Sequence, residues 1–489
     1  MNDDGVPRLA WAMWKRFALA GLVIVLLSAA ASATAALLEV KQLAQDLGGH
    51  RLKGIGLAPA PPGAPQTFLL IGSDSRVADR RQGLRGNSDT MILVRLDPDK
   101  QGVAVLSIPR DLKAEIPHPN GVVETAKINA AYPQGGPRLT VKTIQRNLPG
   151  IKINHVINVN FKGFKQAVNY VHCVYADIDR RYFNDNAIAY ATINVKPGYQ
   201  RMCGSQALDY VRFRHEDTDL VRAARQQDFL TQAKEQVGVQ KVISDRHAFA
   251  RIFGKYTETD IHGTDQVLGL LKLAAFSIGR PVREVHFRTN LGPSFVTSTP
   301  KQIRETVREF LRGQSSSGPR GTLKSTAAER LAGRKRKKLP TVGSLSLENA
   351  KQQGEDQAIQ AQPKLRFPVL YPRLRTIGSV YSDVPRVYHL PDLDHKPHEA
   401  YRMVIKKGDI GEYYGVQGMT WLHPPILDGA DQTRRLGARK FDLFFNGKRL
   451  RLVALRTPRA IYWVSNTLLL SLTNPQMLAI AKSLQPVGR

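Results

Sequence analysis

The uncharged, mostly apolar run from Phe17 to Leu38 is the feature that most limits what this chain can become. It is long enough to cross a bilayer as a helix, which takes about 20 residues. Arg8, Lys15 and Arg16 precede it, and Trp11 and Trp14 stand where an interfacial aromatic belt would. A positive flank stays on the cytoplasmic side, so everything from Glu39 onward is expected outside the cytoplasm. Ala31-Ser32-Ala33 and Ala33-Thr34-Ala35 also fit a small-residue cleavage pattern, so a removed signal peptide stands as the second reading. Both readings export the chain. The preferred layout is a cytoplasmic tail over residues 1–16 and a single-pass anchor in the cell membrane over 17–38, with the bulk of the chain extracytoplasmic.

A chain of 489 residues exceeds one ordinary core, so two domains with linkers are expected. The net charge of +30 favours anionic partners: nucleic acid, a membrane surface or phosphorylated substrates. Export argues against nucleic acid, and no helix-turn-helix or zinc pattern is present. Cys173 and Cys203 are an even pair in an exported chain, which makes them a disulfide candidate, with two buried free thiols as the alternative.

Residues 39–65 end in Ala-Pro-Ala-Pro-Pro-Gly-Ala-Pro, which reads as a Pro-rich stalk. Thr67–Gly72 reads as a buried strand. Ser88–Leu96 and Val103–Ile108, joined by Asp97-Pro-Asp-Lys-Gln-Gly102, read as a hairpin. Strands are expected at His155–Phe161 and Cys173–Asp179, helices after Pro137, at Gly163–Val171, Leu220 to about Val242, Asp265–Ala275 and Lys301–Leu311, and a short helix or turn at Gly204–Tyr210. Pro197-Gly198-Tyr199 reads as a turn. Interleaved strands and helices argue an α/β catalytic domain over 66–312. Residues 313–363, with Arg334-Lys-Arg-Lys-Lys338, read as a basic low-complexity linker. Residues 364–489 read as a smaller α+β accessory domain with no nucleotide loop and no Ser/His/Asp spacing.

The densest polar stretch runs from Tyr210 to Gln227. Arg212 and Arg214 alternate with Val211 and Phe213, the period of a strand that would put both guanidiniums on one face. Asp219 is placed as a helix N-cap, and Arg222, Arg225 and Gln226 then share a helix face at i, i+3 and i+4. Guanidiniums so grouped suit a pyrophosphate. Taken alone, the stretch fits a solvated basic helix start equally well. Asp74, Arg76, Asp89, Arg110 and Lys127 fall at expected strand ends upstream. Asp74 and Asp89 could hold a Mg²⁺ ion or take a proton from an incoming hydroxyl, or each could be a local cap.

Six blocks bring these residues into one pattern. They are Phe-Leu-Leu-Ile-Gly-Ser-Asp74-Ser-Arg76, Ser-Asp89-Thr-Met-Ile-Leu, Ser-Ile-Pro-Arg110-Asp111, Lys127-Ile-Asn-Ala-Ala-Tyr-x-x-Gly-Gly136, Val-Asn-Phe-Lys-Gly-Phe164 and the Asp-Tyr-Val-Arg212 to Gln226 stretch. In this order they resemble the LytR–CpsA–Psr family over about Thr67 to Lys234. The resemblance implies an α-β-α sandwich with a central mixed sheet. It also implies an Mg²⁺-dependent phosphotransferase that moves a glycopolymer from a polyprenyl-diphosphate carrier to a peptidoglycan sugar hydroxyl, forming a phosphodiester. Asp74 and Asp89 then belong to the metal and base region, with Arg110 and Arg212 beside them. Arg110, Lys127, Arg212, Arg214, Arg222, Arg225 and Gln226 fall to the diphosphate. An apolar tunnel for the polyprenyl tail is implied near Leu139–Leu148 and Gly163–Val171. A polyprenyl-diphosphate phosphatase and a membrane-anchored transcriptional regulator are the alternatives. The Arg- and Gly-rich segment 76–87 and the cysteine pair depart from the pattern, and nothing carries over to residues 364–489.

Overall fold

The computed structural model describes residues 38–46, 50–59, 61, 63–74, 86–100, 102–185, 192–213, 218–236, 244–267, 269, 280–292, 294–320, 345–408 and 412–488. The apolar run 17–37 lies outside them. Among the described residues no helix is long and apolar enough to cross a membrane.

Seven strands form the sheet that positions the site: β1 (His50–Arg51), β2 (Gln66–Ser73), β3 (Ser88–Leu96), β4 (Val103–Ser107), β5 (His155–Asn160), β6 (Thr257–Thr259) and β7 (Val282–Val285), in the order β1-β6-β5-β2-β3-β4-β7. The expected β3–β4 hairpin is present, with Leu93 opposite Leu106. β2 runs antiparallel to β3 and parallel to β5, and β4 runs parallel to β7, so the sheet is mixed. Because side chains alternate along a strand, Leu69, Ile71, Leu93, Leu106 and Val156 share one buried face. Phe68, Val94 and Ile157 share the other.

Helices cover both faces. In chain order they are α1 (Ala131–Asn147), α2 (Phe161–Tyr170), α3 (Gly204–Arg212), α4 (Asp219–Gln236), α5 (Arg246–Tyr256) and α6 (Pro300–Arg312). Val141 and Ile144 of α1 and Val307 and Phe310 of α6 pack on the first face. Ala250 of α5 packs on the second together with Leu43. α1 breaks at Gly136 (φ 61°), a conformation that suits glycine, and Pro137 restarts it. α6 opens on a Thr299/Gln302 capping box with Pro300 in its first turn, and closes on left-handed Gly313.

Beside the sheet lies a separate core. α2, α3, α4 and the antiparallel strands Val174–Ile178 and Gly198–Met202 bury Val168, Ala176, Met202, Ala207, Tyr210 and Phe229 together. The strand at Gly198–Met202 replaces the turn expected there. Cys173 and Cys203 form a disulfide across the exit of α2 and the entry of α3. A Cβ on Gly204 would stand 2.5 Å from the Lys165 carbonyl, so α2 and α3 meet backbone to backbone at this staple. Replacing both cysteines with serine is expected to lower stability by ~3–4 kcal/mol through the freed unfolded chain. Urea midpoints under oxidising conditions measure this, and an unchanged midpoint would remove the staple from the account.

Residues 345–488 form a second body. Eight antiparallel strands run from Val380–Tyr381 to Ile461–Ser465. One face of that sheet packs against helices Lys351–Ala361 and Asn474–Lys482, through Ala358, Ala361, Met477 and Ile480. Its other face lies on the first domain, where Tyr175 and Tyr199 join Trp421, Phe444 and Trp463. A Cβ on Gly198 would meet the Tyr388 hydroxyl at 2.7 Å, so the two bodies pack closely here.

Two expected connectors are structured instead. Residues 38–46 are helical, β1 pairs with β6, and Ile55 is buried, so the expected stalk belongs largely to the first domain. Val40, Leu43 and Ala44 stand at i, i+3 and i+4, the face of this helix that packs on the sheet. The expected linker shrinks likewise. Ser316 and Arg320 are buried, Leu347–Asn349 pairs with Leu374–Thr376, and Lys351–Ala361 is a core helix. The basic run Arg334–Lys338 lies outside the described residues.

Candidate functional site

Strand direction gathers the polar groups. β2 and β5 end, β3 begins and β4 ends at one edge of the sheet, because β3 is antiparallel to both its neighbours. That edge therefore receives Asp74 after β2, Asp89 at the start of β3 and Arg110-Asp111 after β4. Open α/β sheets place ligands at such strand ends.

Arg110 is the hub. Its guanidinium pairs with Asp89, and its Nε lies 3.5 Å from Asp219 and 3.7 Å from Asp111. Asp219 also pairs with Arg222, three residues on in α4, and accepts from the Asp111 backbone N–H at 3.4 Å. Lys127 closes the chain with Asp111 at 3.2 Å. Arg110, Arg222 and Asp219 are each only 5–6% exposed at the side chain, whereas Asp89 is 30% exposed and faces the opening. Burial lowers the Arg222 pKa, Asp219 opposes that, and Arg110 adds to it. Like charges are thus packed together behind an acidic rim. Buried N–H groups at Arg110 Nε and Arg212 Nε have no hydrogen-bond partner among the described residues. Both are donors of the kind a phosphate oxygen satisfies.

Asp74 accepts from the Asn87 backbone N–H. Burial raises its pKa, Asn87 lowers it, and Asp89 raises it again as a like charge. The two carboxylates therefore share one field at the mouth of the site. The Ser73 and Ser88 hydroxyls, opposite each other in the β2/β3 register, are buried without a partner among the described residues.

The arginine stretch folds differently from its expected form. Arg212 ends α3 rather than lying on a strand, because Gly204, Ala207, Leu208 and Tyr210 bury one helix face. It pairs with Asp209 at 3.2 Å and lies 5.8 Å from the centre of the Phe161 ring. Arg214 lies outside the described residues, as does Arg76. Asp219 is the first helical residue rather than the cap, and the Thr218 hydroxyl accepts from Val221 N–H at 3.4 Å. Arg225 leaves the expected diphosphate set: it is fully buried, donates to the Phe213 carbonyl, and lies 4.7 Å from the Tyr182 ring and 5.5 Å from the Tyr210 ring. It braces the α3–α4 corner. Gln226 is buried and spends an amide N–H on the Val211 carbonyl at 3.1 Å, tying α4 to the end of α3.

The structure thus unites Asp89, Arg110, Lys127 and Arg222 in one network, with Asp74 coupled to Asp89. The sequence reading missed the roles of Asp219 and Asp111 as the carboxylates between the cations. Asp219 and Arg222 at i, i+3 carried that signal. Among the described residues no group of three His, Cys, Asp or Glu side chains is placed to hold a metal ion.

The model described as the LytR_cpsA_psr family matches residues 42–287. The chain is 33% identical over 204 residues to the polyisoprenyl-teichoic acid–peptidoglycan teichoic acid transferase TagU of Oceanobacillus iheyensis, covering 40% of this chain and 58% of that protein. It is 30% identical over 204 residues to TagV of Bacillus subtilis, which carries the same transferase description, covering 41% and 51%. The chain spans about half the length of these curated relatives. A crystal structure of B. subtilis TagV aligns at a TM-score of 0.42 with 25% identity, over 51% of this chain and 97% of that one.

Proposed function

Because the chain belongs to the LytR–CpsA–Psr family, we propose that it is an extracytoplasmic phosphotransferase, held at the cell membrane by residues 17–38. Its donor is a glycopolymer on a polyprenyl diphosphate and its acceptor a peptidoglycan sugar hydroxyl. The relatives' names support the donor and acceptor classes. The observation that carries the reading is the Arg110 hub: buried guanidiniums and carboxylates interleaved where β2 and β4 end and β3 begins, with Arg110 Nε ion-paired to Asp219 but making no hydrogen bond among the described residues.

In this reading the diphosphate lies against Arg110, Lys127, Arg212 and Arg222. The acceptor oxygen attacks the phosphorus that bears the glycan. The bond from that phosphorus to the bridging oxygen breaks, a phosphodiester forms, and polyprenyl phosphate leaves. Asp74 is the base that takes the hydroxyl proton, since burial and Asp89 raise its proton affinity. Arg110 and Arg222 stabilise the charge that grows on the leaving phosphate. Asp89, which is not the base, is the residue that would hold a Mg²⁺ ion. One or two protein carboxylates plus substrate phosphate oxygens are a common donor set for that ion. When bound, the ion would neutralise phosphate charge.

Purified full-length protein, given lipid-linked glycan and peptidoglycan, is expected to yield polyprenyl phosphate and a glycan phosphodiester in equal amounts. Free phosphorylated glycan without linkage would favour the phosphatase. The acidic limb of the rate profile supplies a second test. With its raised pKa, Asp74 loses base function as pH falls through that value. Asp89→Asn removes the like charge, so at reduced overall activity the limb should move to lower pH. A limb that stays put would take Asp74 out of the base role.

A further inference from the structure

We infer that residues 466–470 of the C-terminal body position α4, and through it Asp219 and Arg222, for the transfer reaction. This rests on the reading of the Arg110 hub as the diphosphate site.

The first turns of α4 have two sides. Asp219 and Arg222 face the hub, whereas Leu220, Val221 and Ala224 form a buried apolar cluster with Leu468 and Leu469. The outer side of the helix that carries the site is therefore held by the second body rather than by its own domain. The holding loop is itself fixed. Asn466 donates to the Leu450 and Leu472 carbonyls and accepts from the Thr467 and Leu472 N–H groups, at 2.8–3.1 Å. Leu470 sits at φ 53°, a conformation costly for a branched side chain, and its N–H donates to the Thr467 carbonyl.

Arg320 locks loop to helix. It forks onto Glu284 at 2.6 and 2.8 Å, donates to the Leu468 carbonyl at 2.8 Å and reaches the Ala224 carbonyl at 3.5 Å. Its backbone N–H donates to Leu469 at 2.8 Å. The end of α3 is braced from the same body. Arg180 lies 5.2 Å from the Tyr413 ring and 5.6 Å from the Phe213 ring, directly after Arg212. Both arms of the arginine corner thus end on the second body. Small misplacements of charge-stabilising groups are costly, on the order of 10²-fold for 1 Å. Leu468 and Leu469 are positioning residues on this account, since neither touches substrate.

The test compares full-length wild type with Leu469→Ala, Leu469→Met and Met477→Ala. Met477 is fully buried in the same body but on the face away from α4. Amide exchange over 219–226 and steady-state transfer are both read well below the unfolding temperature. Leu469→Ala should speed exchange in that segment about tenfold and lower kcat about tenfold, with KM for the acceptor unchanged. Leu469→Met should restore both, and Met477→Ala should change neither. If Leu469→Ala does not fold, Leu468→Ala takes its place. Wild-type exchange and wild-type kcat in a folded alanine variant would overturn the inference. If the wild type transfers nothing, the transferase reading fails, and exchange alone decides whether the second body holds α4.

Discussion

Alanine in place of Arg110 is expected to cut transfer of lipid-linked glycan by about 10²–10³-fold, the range for a preorganised group facing charge that grows in the transition state. The chain should stay folded. Asp219 keeps its pairing with Arg222, and Asp89 is exposed enough to be solvated. Arg110→Lys should fall between the two, because a point charge keeps the pairing with Asp89 but not the planar fork that reaches Asp219 and Asp111. Initial rates at saturating donor, with amide exchange as the folding control, make the measurement. An alanine variant within threefold of wild type would place the diphosphate elsewhere.

The strand ends that form the site were legible because each rule was local. Thr67–Gly72, the Ser88–Ile108 hairpin and His155–Phe161 are short apolar or alternating runs bounded by turn residues, and the structure has strands at Gln66–Ser73, Ser88–Leu96, Val103–Ser107 and His155–Asn160. Pro137 after a glycine pair marked a helix start, and α1 restarts there. The arginine corner was misread for a physical reason. Val211-Arg212-Phe213-Arg214 alternates for four residues, too short a window to separate a period of two from one of 3.6. The helical signal lay upstream, in Gly204, Ala207 and Leu208. Arg225 belongs to the same problem. Its spacing to Arg222 put it on the site face, but Tyr182, Tyr210 and Phe213 close around it from segments that only tertiary packing brings together.

The docking of the second body was illegible for the same cause. Leu468–Leu470 is a short apolar run, and nothing local says that the partners of Leu468 and Leu469 are Leu220 and Val221. Arg320 read as part of a polar linker. Its burial follows from Glu284 on β7, which is 36 residues upstream in sequence. A linker reading rests on composition, and composition cannot see a single arginine fitted to a buried carboxylate.

That pair carries the largest expected change in stability. Arg320 and Glu284 are each 3% exposed at the side chain. Arg320→Ala leaves a buried carboxylate uncompensated and should cost about 3–5 kcal/mol, read from urea midpoints at neutral pH. Pairing Arg320→Met with Glu284→Gln should recover much of it, because the burden is the unpaired charge rather than the lost contact. The pH dependence gives the sign. In the parent, burial pushes the Glu284 pKa up, but Arg320, His286 and Asn446 outweigh it and hold the carboxyl below its ordinary 4.5. A depressed carboxyl stabilises the fold above its unfolded value and loses that contribution as pH falls through the folded one. Without Arg320, burial dominates and the carboxyl rises, so the variant loses stability as pH climbs. The gap between parent and variant should therefore be wider at pH 7 than at pH 4. A gap of the same size at both would mean that Glu284 carries no charge in the folded parent.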